Sequence, residues 1–156
     1  NCSFEDVVSL DEHMERIGGS GVIPKSEMGD VFEAYDLDRK PNGDAIANLA
    51  LDNYEEMSDR TADPKFLLKK AIELRLSKTF PSMYVSRYSL VTQTLVPYHL
   101  CEEVSVIQDT ILDKLSSGIN SAEHADLSMA EKLIRESLVP LFEKNGIEDL
   151  ASIPRG

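Results

Sequence analysis

One run of β-branched and aromatic residues limits what this chain can fold into: Tyr84-Val85-Ser86-Arg87-Tyr88-Ser89-Leu90-Val91-Thr92, extending to Val96. Propensity alone makes it extended. A single strand cannot form a sheet, so the run either pairs with polypeptide outside this sequence or lies as an irregular segment against helices. Every other stretch with a readable period is helical, and the fold class is mainly α.

The helices follow from spacing and punctuation. Ser3 with Asp6 resembles a capping box, and Phe4, Val7, Val8, Leu10, Met14 and Ile17 continue a helix that Gly18-Gly19 stops. A loop runs to Pro24, after which Ser26 caps a helix carrying Met28, Val31, Phe32 and Tyr35, predicted to end before Pro41. A third spans Asp44 to Ser58, with Ile46, Leu49, Ala50, Tyr54 and Met57 on one face. Asp63 caps a fourth, with Pro64 at its first position, which ends near Phe80-Pro81. Two more are expected around Cys101 to Leu115 and Ser128 to Lys144, the latter kinked at Pro140.

The 156 residues suffice for one domain with a core, or for part of a larger protein. With 28 acidic against 16 basic residues the net charge is -12, and the basic residues are scattered, which argues against nucleic acid as a partner. Cys2 and Cys101 have no metal-ligand spacing, and reduced, buried thiols are expected. No apolar run approaches the ~20 residues of a membrane span, so a soluble, cytoplasmic protein is expected. The first residue is Asn1 rather than Met, which suggests a fragment or a processed chain.

Two apparent metal motifs fail on their chemistry. A calcium loop needs Gly at its sixth position and Glu at its twelfth. Counted from Asp36 these are Pro41 and Ala47; counted from Asp38 they are Gly43 and Leu49, without the bidentate acid. His13, His99 and His124 have no partners at ligand spacing, and His13 and His124, in polar surroundings, read as surface residues. No metal site is predicted.

The third helix carries a different signal. Asn53, Glu56 and Met57 stand at i, i+3 and i+4, so an amide, a carboxylate and a thioether project side by side. Such groups cost about 1–3 kcal/mol if buried without partners, so the face is either solvated or set against something polar.

Several blocks then appear in a familiar order: Asn1-Cys2-Ser3-Phe4-Glu5-Asp6, Phe32-Glu33-Ala34-Tyr35, Arg39-Lys40-Pro41-Asn42-Gly43-Asp44, Leu49-Ala50-Leu51-Asp52-Asn53-Tyr54-Glu55-Glu56-Met57, Asp63-Pro64-Lys65-Phe66-Leu67, Tyr88-Ser89-Leu90-Val91-Thr92 and Pro97-Tyr98. Together they resemble the kynurenine 3-monooxygenase family of flavin-dependent aromatic hydroxylases, over about two thirds of the chain. The resemblance implies the helical C-terminal portion of an α/β FAD-dependent monooxygenase whose N-terminal dinucleotide-binding part is absent. Residues 1–97 would border the flavin and substrate site, and 98–156 would form a C-terminal helical region.

The resemblance also implies a site. Asn1 matches a residue beside the flavin, in a family turn where Ser3 replaces Gly. Asn53, Glu56, Met57 and Tyr88 match positions around the L-kynurenine substrate: an amide and a phenol to bind it, a carboxylate to accept from an ammonium or aniline, and a thioether against the ring. None is a nucleophile, and no catalytic residue is assigned. Arg87 departs from the apolar residue usual before the Tyr, and Gln93 from an aromatic after the Thr. The implied cofactors are FAD and NADPH, both needing the absent portion, and the implied reaction is hydroxylation of kynurenine's ring beside its amino group. The alternative is an acidic helical interaction domain without catalysis.

Overall fold

A computed structural model of the protein describes residues 2–19, 21–59, 63–147 and 149–150. Among these residues no strand occurs. Helix α1 spans Cys2–Gly18, α2 Met28–Asp59, α3 Pro64–Thr79, α4 Arg87–Gln93 and α5 Tyr98–Ser116. A 3-10 turn at Ala122–His124 leads to α6, Leu127–Leu133, which passes through a π-helical turn, Ile134–Leu138, into α7, Val139–Lys144.

Helix α5 is the axis of the packing and touches α2, α3, α4, α6 and the π turn. Its Leu100, Cys101, Val104, Ile111, Leu112 and Leu115 are buried among Leu49, Ile72, Leu76, Leu90 and Leu138 from the surrounding helices. Each large side chain so buried contributes about 1.5–3 kcal/mol relative to leaving it in water. Arg75 of α3 fastens the segment after α5: its Nη1 donates to the carbonyls of Ala122, Glu123 and Ala125 at 2.6, 2.9 and 3.2 Å.

Several expectations hold in detail. Gly19 takes φ 64° and its N–H donates to Glu15 at 2.8 Å, which ends α1 as the glycine pair predicts. Asp63 accepts from the Lys65 N–H at 2.9 Å, with Pro64 opening α3.

Other expectations are corrected. Pro41 does not end a helix, because α2 continues through it as one element of 32 residues. The proline still removes one backbone donor, but the adjacent Asn42 Nδ2 donates to the Asp38 carbonyl at 3.2 Å, and the Asn42 Oδ1 lies 3.1 Å from His99 Nδ1 and accepts from the His99 N–H at 3.4 Å. One buried amide thus sits beside the proline and ties α2 to the first turn of α5. The segment from Asp36 to Asp44 is helix throughout, so the calcium-loop geometry is absent there. At Pro140 the ladder widens into the π turn just before the ring, and the helix continues.

The run from Tyr84 is also not extended. Ser86 Oγ accepts from the Ser89 N–H at 3.2 Å and starts α4, so local capping chemistry prevails over β propensity. Tyr84 and Leu90 are fully buried in the core, which is what the apolar character of the run supplies.

Helix α1 departs from its predicted face. Phe4, Val7 and Val8 are exposed, and the side turned inward is polar. Asp6 pairs with Arg39 at 2.8 Å, Ser9 Oγ donates to Asp38 Oδ2 at 2.8 Å, and His13 Nε2 lies 3.3 Å from the same oxygen. The Tyr98 hydroxyl of α5 donates to Glu5 at 2.9 Å. His13 is therefore a buried residue, with the Tyr35 ring edge-on to it, and not a surface one; His99 and His124 are exposed. The spacing of Asp6, Ser9 and His13 is helical, and α2 answers it with Asp38 and Arg39.

Candidate functional site

The last turns of α2 and the whole of α4 face each other across a cleft of about 210 Å³. Its apolar floor includes Ile46, Leu49, Ala50 and Val91, and its polar rim includes Asn53, Glu56, Lys70, Arg87, Tyr88 and Thr92. Residues far apart in sequence meet here because α4 is capped at Ser86, which sets Arg87 and Tyr88 on its first turn, and because Leu90 is anchored in the core.

Three of the four expected substrate-contact residues line this cleft: Asn53, Glu56 and Tyr88. Asn53 and Tyr88 are exposed, presenting to a ligand a phenol and an amide whose only bond among the described residues is a long one from Nδ2 to Met57. Met57 does not line it. Its side chain is two-thirds exposed and its Sδ accepts from Asn53 Nδ2 at 3.6 Å, so it stands beside the rim. Tyr54 is also exposed. Asn1, expected beside the flavin, lies outside the described residues.

Glu56 is placed differently from a free acceptor. Its Oε1 is paired with Arg87 Nη2, and its Oε2 lies 3.3 Å from Lys70 Nζ. Lys70 also reaches Glu73 at 3.4 Å, and the buried Glu73 accepts from the Arg87 backbone N–H at 3.3 Å. Two carboxylates and two cations thus close a neutral network along one wall. Sequence reasoning missed this role for Lys70 and Arg87. The signal available was Arg87 itself, a charge where an apolar residue is usual, which needs a counter-charge once α4 packs.

The network also forms one side of a second cavity, of about 260 Å³, lined by Glu56, Lys70, Glu73 and Arg87 with Gln108 and Asp109. Gln108 Nε2 donates to the Val85 carbonyl at 2.7 Å, while its Oε1 is buried without a partner among the described residues.

Ser9, His13 and Asp38 are grouped but do not form a nucleophile–base pair, since both Ser9 and His13 address the same Asp38 oxygen. The Ser9 hydroxyl foremost, then His13 and Arg39, holds the Asp38 carboxyl below its ordinary range. Among the described residues no group of three His, Cys, Asp or Glu side chains could hold a metal ion, and no helix is long and apolar enough to cross a membrane.

The cleft can bind and orient: it offers an amide, a phenol, an apolar floor and a neutralised ionic wall. The described residues contain no strand leading through a glycine-rich turn into a helix. They therefore do not fit the pyrophosphate of a dinucleotide cofactor.

No family model matches the chain. Individual relatives do. The chain is 42% identical over 145 residues to the kynurenine 3-monooxygenase of Myxococcus xanthus, covering 93% of this chain and 30% of that protein. It is 34% identical to that of Stenotrophomonas maltophilia, with 92% and 30% covered, and 33% identical to that of Dictyostelium discoideum, with 88% and 32% covered. The chain thus spans about three-tenths of the length of these relatives, consistent with a helical C-terminal portion.

Proposed function

We propose, from the chain's membership of the kynurenine 3-monooxygenase family, that it is the substrate-facing helical part of an enzyme that hydroxylates L-kynurenine to 3-hydroxykynurenine. The observation that carries this reading is the convergence of Asn53 and Tyr88 on one cleft with an apolar floor. A kynurenine-sized ligand has an aromatic ring to bury and polar ends to orient, and the cleft supplies both kinds of surface.

In the full-length protein, FAD reduced by NADPH would supply the oxygen-activating chemistry, held by the part of the enzyme outside this chain. The residues of this chain bind, orient and exclude water. Asn53 offers an amide and Tyr88 a hydroxyl to the ligand, while Ile46, Leu49 and Val91 receive the ring. Glu56 is committed to Arg87 and Lys70 and serves the shape of the wall rather than the ligand's amines. Met57 contributes through its contact with Asn53. Residues 1–97 border the site in this reading, with Asn1 beside the flavin and 98–156 as support.

The test is made in the full-length protein. Asn53→Ala and Tyr88→Phe should each weaken L-kynurenine binding by about 0.5–3 kcal/mol and raise the fraction of NADPH consumed without hydroxylation, with FAD content unchanged. The chain alone, as a control, should neither retain flavin nor oxidise NADPH. Wild-type affinity for kynurenine in both variants would refute the reading.

A further inference from the structure

The wall of the cleft contains a residue that no resemblance assigns. Arg87 is the first residue of α4 and adjoins Tyr88. Its side chain is mostly buried and paired with Glu56 of α2, while its backbone N–H donates to Glu73 of α3 at 3.3 Å. The carboxylates that receive it are themselves joined through Lys70, at 3.3 and 3.4 Å. Helix α4 has only two turns, too few to be stable alone, so its position is set by what holds its ends. Leu90 in the core anchors one side, and the only ion pair found on α4 among the described residues is that of Arg87.

We propose that Arg87 is the positioning residue of the cleft. Its guanidinium acts through Glu56, beside the backbone bond to Glu73 that any residue there would keep, to fix where the first turn of α4, and with it the Tyr88 phenol, stands relative to Asn53. This rests on the reading of the cleft as the kynurenine site. A guanidinium suits the task better than an apolar side chain, because its fork fixes direction as well as distance. The pairing also removes Glu56 from ligand recognition. A ligand entering the cleft meets a neutral wall and is read by the amide and the phenol.

The test uses the full-length protein with Arg87→Met, Arg87→Lys, Glu56→Gln, Tyr88→Phe and Asn53→Ala, and the double variant Arg87→Met/Tyr88→Phe. Amide hydrogen exchange over α4, without ligand, should rise in Arg87→Met and Glu56→Gln and return in part with Arg87→Lys. Affinity for L-kynurenine should fall roughly tenfold in Arg87→Met, the scale of one misplaced hydrogen bond. In the Tyr88→Phe background the same change should cost little more, since the group being positioned is gone. Unchanged exchange over α4 would overturn the tether. Equal losses of affinity with and without the Tyr88 hydroxyl would overturn its action through Tyr88. If Asn53→Ala weakens kynurenine binding while Arg87→Met does not, the cleft reading stands and the role of Arg87 is refuted. If Asn53→Ala and Tyr88→Phe are both without effect, the cleft is not the kynurenine site and the proposal falls with it.

Discussion

Removing the hydroxyl of Tyr84 should stabilise the protein. The side chain is fully buried, its ring lies in the core, and its Oη has no hydrogen-bond partner among the described residues. A buried hydroxyl without a partner costs about 1–3 kcal/mol in mutational terms. Tyr84→Phe keeps the ring and deletes the unpaired group, at the expense of a small void worth up to about 1 kcal/mol. The net expectation is a gain of about 1 kcal/mol at neutral pH, or roughly 2–4 °C in Tm for a domain of this size. Alkaline pH gives an independent check. Burial foremost, then Glu73 and Asp109, raises the phenol's pKa above the ordinary 10.0. The unfolded chain ionises this group from about pH 10, whereas the fold holds it neutral, so the contribution is complete below that pH and is lost as pH rises beyond it. Phenylalanine has no such loss, and the advantage of Tyr84→Phe should widen above pH 10. Urea denaturation of both proteins at pH 7 and pH 10.5 measures both effects. A variant less stable than wild type by more than about 1 kcal/mol at pH 7, with no widening at high pH, would refute the orphan-hydroxyl argument.

Two further outcomes are expected. Cys101 is buried, its Sγ donates to the Val96 carbonyl at 3.6 Å, and burial foremost pushes its thiol up to about 12, so in the folded chain a thiol reagent at pH 8 should titrate Cys2 alone; comparison of the Cys2→Ser variant before and after denaturation checks this. Asp126 accepts from the N–H groups of Ser128 and Met129 at 2.9 and 3.0 Å, so Asp126→Ala should lower stability by about 0.5–2 kcal/mol while Asp126→Asn loses little, measured from urea midpoints.

What was legible in the sequence was local. Asp63-Pro64 and Gly18-Gly19 state helix ends in their own chemistry, and those ends are where the spacing puts them. The misreadings share one cause: the deciding partner lies elsewhere in the chain. Pro41 reads as a stop until Asn42 is seen bonded to Asp38 and His99. His13 reads as exposed until Asp38 is seen to receive it, and the apolar stripe of Phe4, Val7 and Val8 reads as a core face although the inward side is Asp6, Ser9 and His13. The run from Tyr84 misleads because Ser86 was counted as a strand residue rather than as a cap. At the site, the helical spacing of Asn53 and Glu56 was legible and the commitment of Glu56 to Arg87 was not, since nothing local to either residue shows the pair.

Helix α2 behaves mechanically as a rod. Its 32 residues run some 48 Å, and Asp38, where α1 is fastened, stands ~27 Å along the axis from Glu56. A proline part-way along such a rod is its natural joint, yet the Asn42 splint to His99 stiffens that joint against α5. The rod is thus held to α5 at Asn42 and Asn48 as well as to α1, and a tilt of about 5° about Asp38 would carry the Asn53 and Glu56 turns by ~2 Å, on the helical rise alone. A displacement of that size is comparable to a hydrogen-bond length, so the width of the cleft depends on how firmly α2 is held along its length, by α5 above all.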